Sequence, residues 1–456
     1  MIAFALLALA ILLGCAALAH LYGTLPGPRW AQIVFLSGAG AAFGLGLTSV
    51  IFTVSEQVIW WWSYPGLGLE CALLVALVLQ FWRKYEDGMG LSAPRASFTI
   101  LPAAALMVAL ILATTAIVNG WDSLPQGNWD AWSIWNLRAK FLATPTLAAR
   151  AWSPMLANTH PEYPLLLSGA IGRCWNAAHE MPNSVPMAIG CVFFLSLIAI
   201  VTGGVAIARG ATAGLIAGLA LACSSSLVLE VSSQYSDVPI AAYFAGAMIL
   251  LLLDRPIWAG AFAAFAAWTK DEGAMFCAIF VVLIAMIRRD VILRVLLGML
   301  PAGIIYAGFK LFFAPHVSVM FGPGSGARFA DGARWETILG GIGGQFLTLG
   351  AGWIHPILIL AALAIAVRIR LDSKREALLP TLTAAALLAA YTAAMVTAPN
   401  EAQWQASTAA GRLIVQWWPL AVIAIIFWLR PAEELAVAAE ARQAKPREAR
   451  QKKVRR

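Results

Sequence analysis

Of the chain's 456 residues 61% are hydrophobic and 12% charged, with a formal charge of +8, whereas soluble globular proteins carry about 45–50% apolar and about 25% charged residues, so a water-soluble fold does not fit. The basic excess does not point to nucleic acid, because it sits in short clusters between apolar runs and in the segment Arg442–Arg456, the distribution of a positive-inside signal. The six cysteines, Cys15, Cys71, Cys174, Cys191, Cys223 and Cys277, lack metal-type spacing and fall mostly inside apolar runs, so neither a zinc site nor a disulfide framework is supported and small buried hydrophobes are expected.

A spanning helix needs roughly 20 apolar residues to cross a hydrocarbon core about 30 Å thick. Met1 to Gly23 looks like a signal sequence, and Leu12-Leu13-Gly14-Cys15 like a lipoprotein cleavage box. No Lys or Arg precedes the apolar stretch, so this segment is expected to stay as the first helix. Apolar runs near 31–53, 60–82 and 98–119 supply the next three spans, with Arg83, Lys84 and Arg95 between the third and fourth. If that loop is cytoplasmic, the longest non-spanning segment, 120–184, is external.

Further runs fall near 185–207, 211–230, 238–253, 256–271, 273–288, 295–313, 353–370, 377–397 and 413–429. The expectation is an all-α, polytopic bundle of about 13 spans. Arg209, Arg255, Arg288, Arg289, Arg368, Arg370, Lys374, Arg375 and Arg430 then share the cytoplasmic side, with the N-terminus outside and the C-terminus inside. The run 256–271 ends on Lys270-Asp271-Glu272, and a re-entrant segment there would invert all that follows. In the loop 314–352, Gly322-Pro323-Gly324-Ser325-Gly326 lacks the strand and Gly-Lys-Ser/Thr of a phosphate cradle and reads as a flexible segment suited to a lid, with Arg328 and Arg334 expected to be solvated, the alternative being that they attract an anionic lipid carrier. The tail 431–456 is basic, lacks aromatic residues and reads as a disordered cytoplasmic segment against anionic membrane lipid.

The external segment carries the chemistry. In Gly127–Leu142 the residues Trp129, Trp132 and Trp135 recur at helical spacing, as in an amphipathic helix lying in the interface. That accounts for the tryptophans, Arg138 and Lys140. It does not account for Asp130, because a carboxylate among aromatic rings at a membrane surface is disfavoured unless it has a partner or a task. His160-Pro161-Glu162-Tyr163-Pro164-Leu165-Leu166 adds a second acidic element on a proline-framed turn. The two elements frame a site for an acceptor hydroxyl, a metal ion, or both.

The pattern from Trp129 to Lys140, followed by His160–Leu166, resembles bacterial membrane glycosyltransferases of the GT-C superfamily, close to the dolichyl-phosphate-mannose protein mannosyltransferase and lipid A aminoarabinose transferase group. Gln234-Tyr235-Ser236-Asp237-Val238-Pro239 is similar to that family's external Y-x-D-x-P turn, and Trp268-Thr269-Lys270-Asp271-Glu272-Gly273 to its T-K-x-E-G turn. Ser407 to Leu413, running into Gln416-Trp417-Trp418-Pro419, looks like the start of its last external helix. The likeness covers about 120–420. It divides the chain into three extra N-terminal helices (1–95), a catalytic core (96–430) with external loops 120–184 and 314–352, and the tail.

The resemblance implies an enzyme of the bacterial inner membrane that moves a sugar, with inversion, from a polyprenyl-phosphate donor to an extracytoplasmic lipid, glycan or protein acceptor. Asp130 matches the family's essential Asp of the first large external loop, and Glu162 its second acidic position. Such a transfer needs a base for the acceptor's proton and cations for the departing phosphate. Asp130 is the candidate base; Lys270 and Arg412, with Arg138 as a third, are the candidate phosphate ligands; and Trp132, His160, Tyr163, Asp237 and Glu272 are candidate substrate contacts. No cofactor is required, although His160, Glu162 and Asp130 offer ligands for a divalent ion, Mg or Mn. The alternative from another class is a transporter or flippase for a lipid-linked or small anionic substrate. It predicts charges facing a midplane cavity and broken helices in paired halves, whereas here the ionisable residues gather at outer helix ends.

Overall fold

Backbone groups in hydrocarbon find no water, so a chain this apolar has to pair its N–H and C=O groups internally, and helices do so within each segment. The computed structural model describes residues 1–58, 65–86, 99–315, 322–352, 354–367, 369, 374–431 and 434. Among the described residues the chain is helices joined by turns, with no strand beyond a lone bridge between Ile369 and Leu429. The loop around Arg95, the residues Arg368 and Arg370, and the basic tail after 431, Glu434 apart, lie outside them.

Eight of the described helices are long and apolar enough to cross a membrane: Ile2–Leu21, Arg29–Ser55, Gly66–Arg83, Ile100–Ser123, Ser184–Arg209, Ile292–Phe312, Glu376–Thr397 and Ala410–Phe427. Ala211–Ala222 and Ser225–Ser232, bent by 56° at their junction, make a ninth if counted as one broken span. This is the architecture of a multi-pass membrane protein. Four other segments read as spans are shorter helices: Asp237–Leu252, Pro256–Thr269, Asp271–Ile287 and Pro356–Val367. At 1.5 Å per residue the 14 residues of Pro256–Thr269 reach only about 21 Å.

Asp237–Leu252 is the buried axis of the bundle, packed against Ser184–Arg209, Pro256–Thr269 and Ala410–Phe427. Small residues along it admit close neighbours. A Cβ on Gly246 would come within 2.3 Å of the Phe262 ring. The N-terminal helices are joined in the same way, since a Cβ on Gly44 would sit 1.8 Å from the Ala10 carbonyl oxygen.

The two ends of the bundle differ in charge. At one, Arg209 donates to the Leu429 carbonyl and pairs with Glu376 at 3.4 Å, Arg255 donates to the Thr24 carbonyl at 2.8 Å, and Arg288 meets Asp254 at 3.3 Å. At the other, acidic and basic residues are interleaved, as described below.

In the loop 314–352, expected to be flexible, the described residues include two helices, Ser325–Ala330 and Gly332–Thr348, while residues 316–321 lie outside the described ones. Asp331 caps Gly332–Thr348, its carboxylate accepting from the backbone N–H of Ala333 at 3.0 Å. Arg334, expected to be solvated, is buried. It donates to the carbonyls of Val396, Ala398 and Asn400 at 2.5, 2.7 and 2.8 Å, and Arg328 donates to Thr397 at 2.7 Å. The cause is the end of helix Lys374–Thr397, whose last carbonyls lack intrahelical partners and carry the negative end of the dipole.

Candidate functional site

The site is assembled from turns at one end of the bundle. Asp130 precedes a widened π-helical turn, Ala131–Trp135, which continues into Asn136–Leu142. Trp129 and Trp132 stay exposed in edge contact with ring centroids 4.6 Å apart, while Trp135 and Arg138 are fully buried. The helix is therefore embedded in the protein on one face, not laid flat on it. The turn at 128–130 is tied to the next element by the Asn128 N–H donating to the Ser233 carbonyl at 3.1 Å, and by the Asp130 N–H donating to the Tyr235 hydroxyl at 3.4 Å.

Gln234 adopts a left-handed φ of 57°, and the reversal delivers Asp237 to the first turn of the axial helix, where a carboxylate is favoured by the unpaired N–H groups. Asp237 is fully buried and collects three donors from two other segments. Lys270 Nζ lies 3.2 Å from its Oδ1, Arg412 Nε lies 3.0 Å from its Oδ2, and the Gln416 amide donates to it as well. Lys270 occupies an extended break (φ −163°) between Pro256–Thr269 and Asp271–Ile287, and also meets Glu272 at 2.8 Å. Arg412 lies in the first turn of Ala410–Phe427. Its Nη2 is 2.7 Å from Asp130 Oδ2, although off the direction of a good hydrogen bond, and its guanidinium sits 4.6 Å above the centre of the Tyr235 ring. The result is a continuous chain of charges, Asp130 to Arg412 to Asp237 to Lys270 to Glu272.

Two phenols border it. Burial, and then the charge of Asp130, push the Tyr235 hydroxyl up to about 12. Burial, with Glu272 and Asp271 nearby, raises Tyr163 well above the usual tyrosine range. Both remain neutral hydrogen-bonding groups near pH 7.

A cavity of about 780 Å³ opens against this network. Six of the residues singled out from the sequence line it: Asp130, His160, Tyr163, Lys270, Glu272 and Arg412. Asp237 lies beneath, gripping the two cations. Three others are not brought to it. Glu162 is buried behind His160, whose Nδ1 is 2.9 Å from its Oε1, and its backbone carbonyl accepts from Lys310 Nζ at 3.0 Å. Trp132 faces outward.

Arg138 is turned inward, donating to the carbonyls of Ala151 at 2.8 Å and Tyr163 at 2.6 Å, with Pro161 and Pro164 at 3.4 and 3.5 Å. Burial lowers its pKa to about 9 against the pull of Glu162 and Asp271, so it is still charged near neutrality. It organises the 151–164 loop and is not directed at the cavity. The metal option finds no ligand set: His160 is taken up by Glu162 and stacks on Tyr163 at 4.6 Å, and Asp130 is held by Arg412. Among the described residues no group of three or more His, Cys, Asp or Glu is placed to hold a metal ion.

Sequence reasoning passed over several members of the site. Gln416 lies one turn from Arg412 on the same helix face, a spacing that could have flagged it, and accepts from the Tyr391 hydroxyl at 2.6 Å. Lys310, a single cation in an apolar run, pairs with Asp271 at 2.8 Å. Tyr391, Asn400, Trp404, Gln405 and Thr408 also line the cavity and carry no charge to mark them. Comparison of the chain with protein-family models, with curated proteins and with solved structures found no match.

Proposed function

We propose that the chain is an inverting membrane glycosyltransferase with a GT-C-like core. It takes a sugar from a polyprenyl-phosphate donor and passes it to a lipid, glycan or protein acceptor on the outer face of a bacterial plasma membrane. The observation that carries this reading is that Asp130, Arg412 and Lys270, from three separate segments, line one cavity at the less basic end of the bundle, with Asp130 against Arg412 and both cations held by Asp237. The short helices fit a count of about 13 spans, because a helix that begins at the floor of a cavity, as Asp237–Leu252 does, need not reach the full membrane thickness.

In the proposed reaction an acceptor hydroxyl attacks the anomeric carbon and forms a new C–O bond. The bond from that carbon to the phosphate oxygen breaks, its electron pair leaves with the phosphate, and the hydroxyl proton passes to Asp130. Arg412 and Lys270 stabilise the charge that develops on the leaving phosphate, the Arg as a planar fork and the Lys as a point charge. Asp237 positions both. Because Arg412 is in contact with Asp130, an arriving phosphate would displace that carboxylate and free it to act as a base. The test is Asp130→Asn in proteoliposomes supplied with a lipid-linked sugar extract. Transfer should fall about 10²–10⁴-fold, the usual contribution of a positioned base; undiminished transfer would remove Asp130 from the scheme.

The transporter reading draws on one observation, the 56° bend between Ala211–Ala222 and Ser225–Ser232. The charges of the cavity, however, lie at helix ends and turns, where surface chemistry and not midplane passage would use them.

A further inference from the structure

The cavity lining is of two kinds. Its charged members, Asp130, Lys270, Glu272 and Arg412, each already have an ionic partner. The helix Ala402–Thr408 with the turn before it forms a neutral stretch of wall, contributing Asn400, Trp404, Gln405 and Thr408. Trp404 lines the cavity yet is 53% exposed, so its ring is open to whatever enters. Among the described residues its indole N–H has no protein acceptor, and the contact from Asn400 Nδ2 to Gln405 Oε1, at 3.5 Å, is at the limit of a hydrogen bond.

This wall is held rigidly. Arg334 grips the Asn400 carbonyl from behind, and Gly341 lets Gly332–Thr348 approach so closely that a Cβ there would meet Ala406 Cβ at 2.7 Å.

We propose that Asn400, Trp404 and Gln405 select an uncharged sugar ring, so that the enzyme prefers neutral sugars over amino sugars and uronic acids. The inference rests on the glycosyl-transfer reading and deepens it. A pyranose has an apolar face of C–H bonds, which an indole covers, and a rim of hydroxyls that donate and accept, which side-chain amides match in both senses. An ammonium or carboxylate set against these three side chains would lose water and find no opposite charge on any of them.

The experiment uses the full chain in lipid nanodiscs with soluble probes. Saturation-transfer NMR reports binding of methyl glucoside, mannoside and galactoside against methyl glucuronide and methyl glucosaminide, and calorimetry reports binding of dimethylallyl phosphate. At least one neutral glycoside should give the stronger saturation. Trp404→Ala should cut that signal about five-fold while Trp404→Phe keeps most of it, and phosphate binding should be unchanged in both variants. Equal saturation by the charged sugars, or an undiminished signal in Trp404→Ala, would overturn the inference. If dimethylallyl phosphate binds and no glycoside does, the neutral wall fails and the phosphate site survives. If glycosides bind through Trp404 and the prenyl phosphate does not, the donor reading fails and the wall stands.

Discussion

Arg412 Nη2 lies 2.7 Å from Asp130 Oδ2, and the same guanidinium reaches Asp237 through Nε at 3.0 Å, so one side chain bridges the cavity-lining carboxylate and the fully buried one. A lysine has a single charged point and cannot reproduce the bridge. Arg412→Lys is therefore expected to fold but to lose about ten-fold or more in kcat and to raise KM for the lipid-linked donor, because charge-assisted forked contacts are the strong ones. Steady-state transfer assays with varied donor decide it. Unchanged kcat and KM would place the donor phosphate elsewhere.

Asp237 is the member of the network whose loss should be felt in folding first. It is fully buried between Lys270 and Arg412, and replacing it with a neutral amide leaves two cations facing each other in a medium that screens them poorly. Removing one partner of a buried pair costs about 3–5 kcal/mol, so Asp237→Asn should unfold well below the native temperature in detergent. Adding Lys270→Met to that variant should recover part of the loss. A single variant that melts with the native protein would show that the network holds nothing together.

The pH dependence follows from Tyr235. Its hydroxyl, pushed up to about 12 by burial and by the charge of Asp130, titrates above the unfolded value of about 10. A group raised in the folded state contributes its full stability below the unfolded value and loses it as pH climbs through the folded one, so this contribution is constant up to pH ~10 and disappears between ~10 and ~12. The difference in phenolate absorbance between the native protein and Tyr235→Phe should show its step near the upper limit of that window. Asp130→Asn should move the step down. A step at the position of an ordinary tyrosine would contradict the contact between these residues.

How far the site can be read from the sequence depends on the price of charge in an apolar chain. Asp130, Asp237, Lys270, Glu272 and Arg412 stand out because ionised groups near hydrocarbon are retained only where something compensates them, and the structure brings these together. Tyr391 and Trp404 are neutral and fit the helix patterns around them, so nothing in composition or spacing separates them from packing residues, and Gln416 is marked only by lying one turn from Arg412. Arg138 is the opposite case: its charge is conspicuous, but the sequence does not say whether a guanidinium points at a ligand or folds back onto carbonyls of its own loop, as this one does. The helix Gly332–Thr348 was hidden by its glycines, which lower helix propensity by about 1 kcal/mol each. Its two stabilising contacts, the Asp331 cap and Arg334 on the carbonyls of another helix, become visible only when the chain is folded.

The first three helices are tied to the segment behind the site by contacts that include Ser49 donating to the Leu166 carbonyl at 2.7 Å and a buried ion pair. Arg173, on the helix Leu166–Ala178 that follows the His160–Pro164 turn, donates from Nε to Glu70 Oε1 at 2.7 Å and from Nη2 to Oε2, while its Nη1 reaches the Leu6 carbonyl at 3.0 Å. Both side chains are almost fully buried, at 6% and 1% exposure, so the Coulomb gain is set against desolvation of two ions. Breaking such a pair from one side costs about 3–5 kcal/mol, whereas replacing both ions by apolar side chains of similar volume is often neutral or stabilising. Glu70→Gln should accordingly lower the melting temperature and loosen the 151–166 segment in hydrogen exchange. The double variant Glu70→Leu with Arg173→Met should regain native stability and transfer. That outcome would make the N-terminal helices a scaffold that fixes the catalytic loop from behind; a double variant that is stable but inactive would instead give Arg173 a part in the reaction.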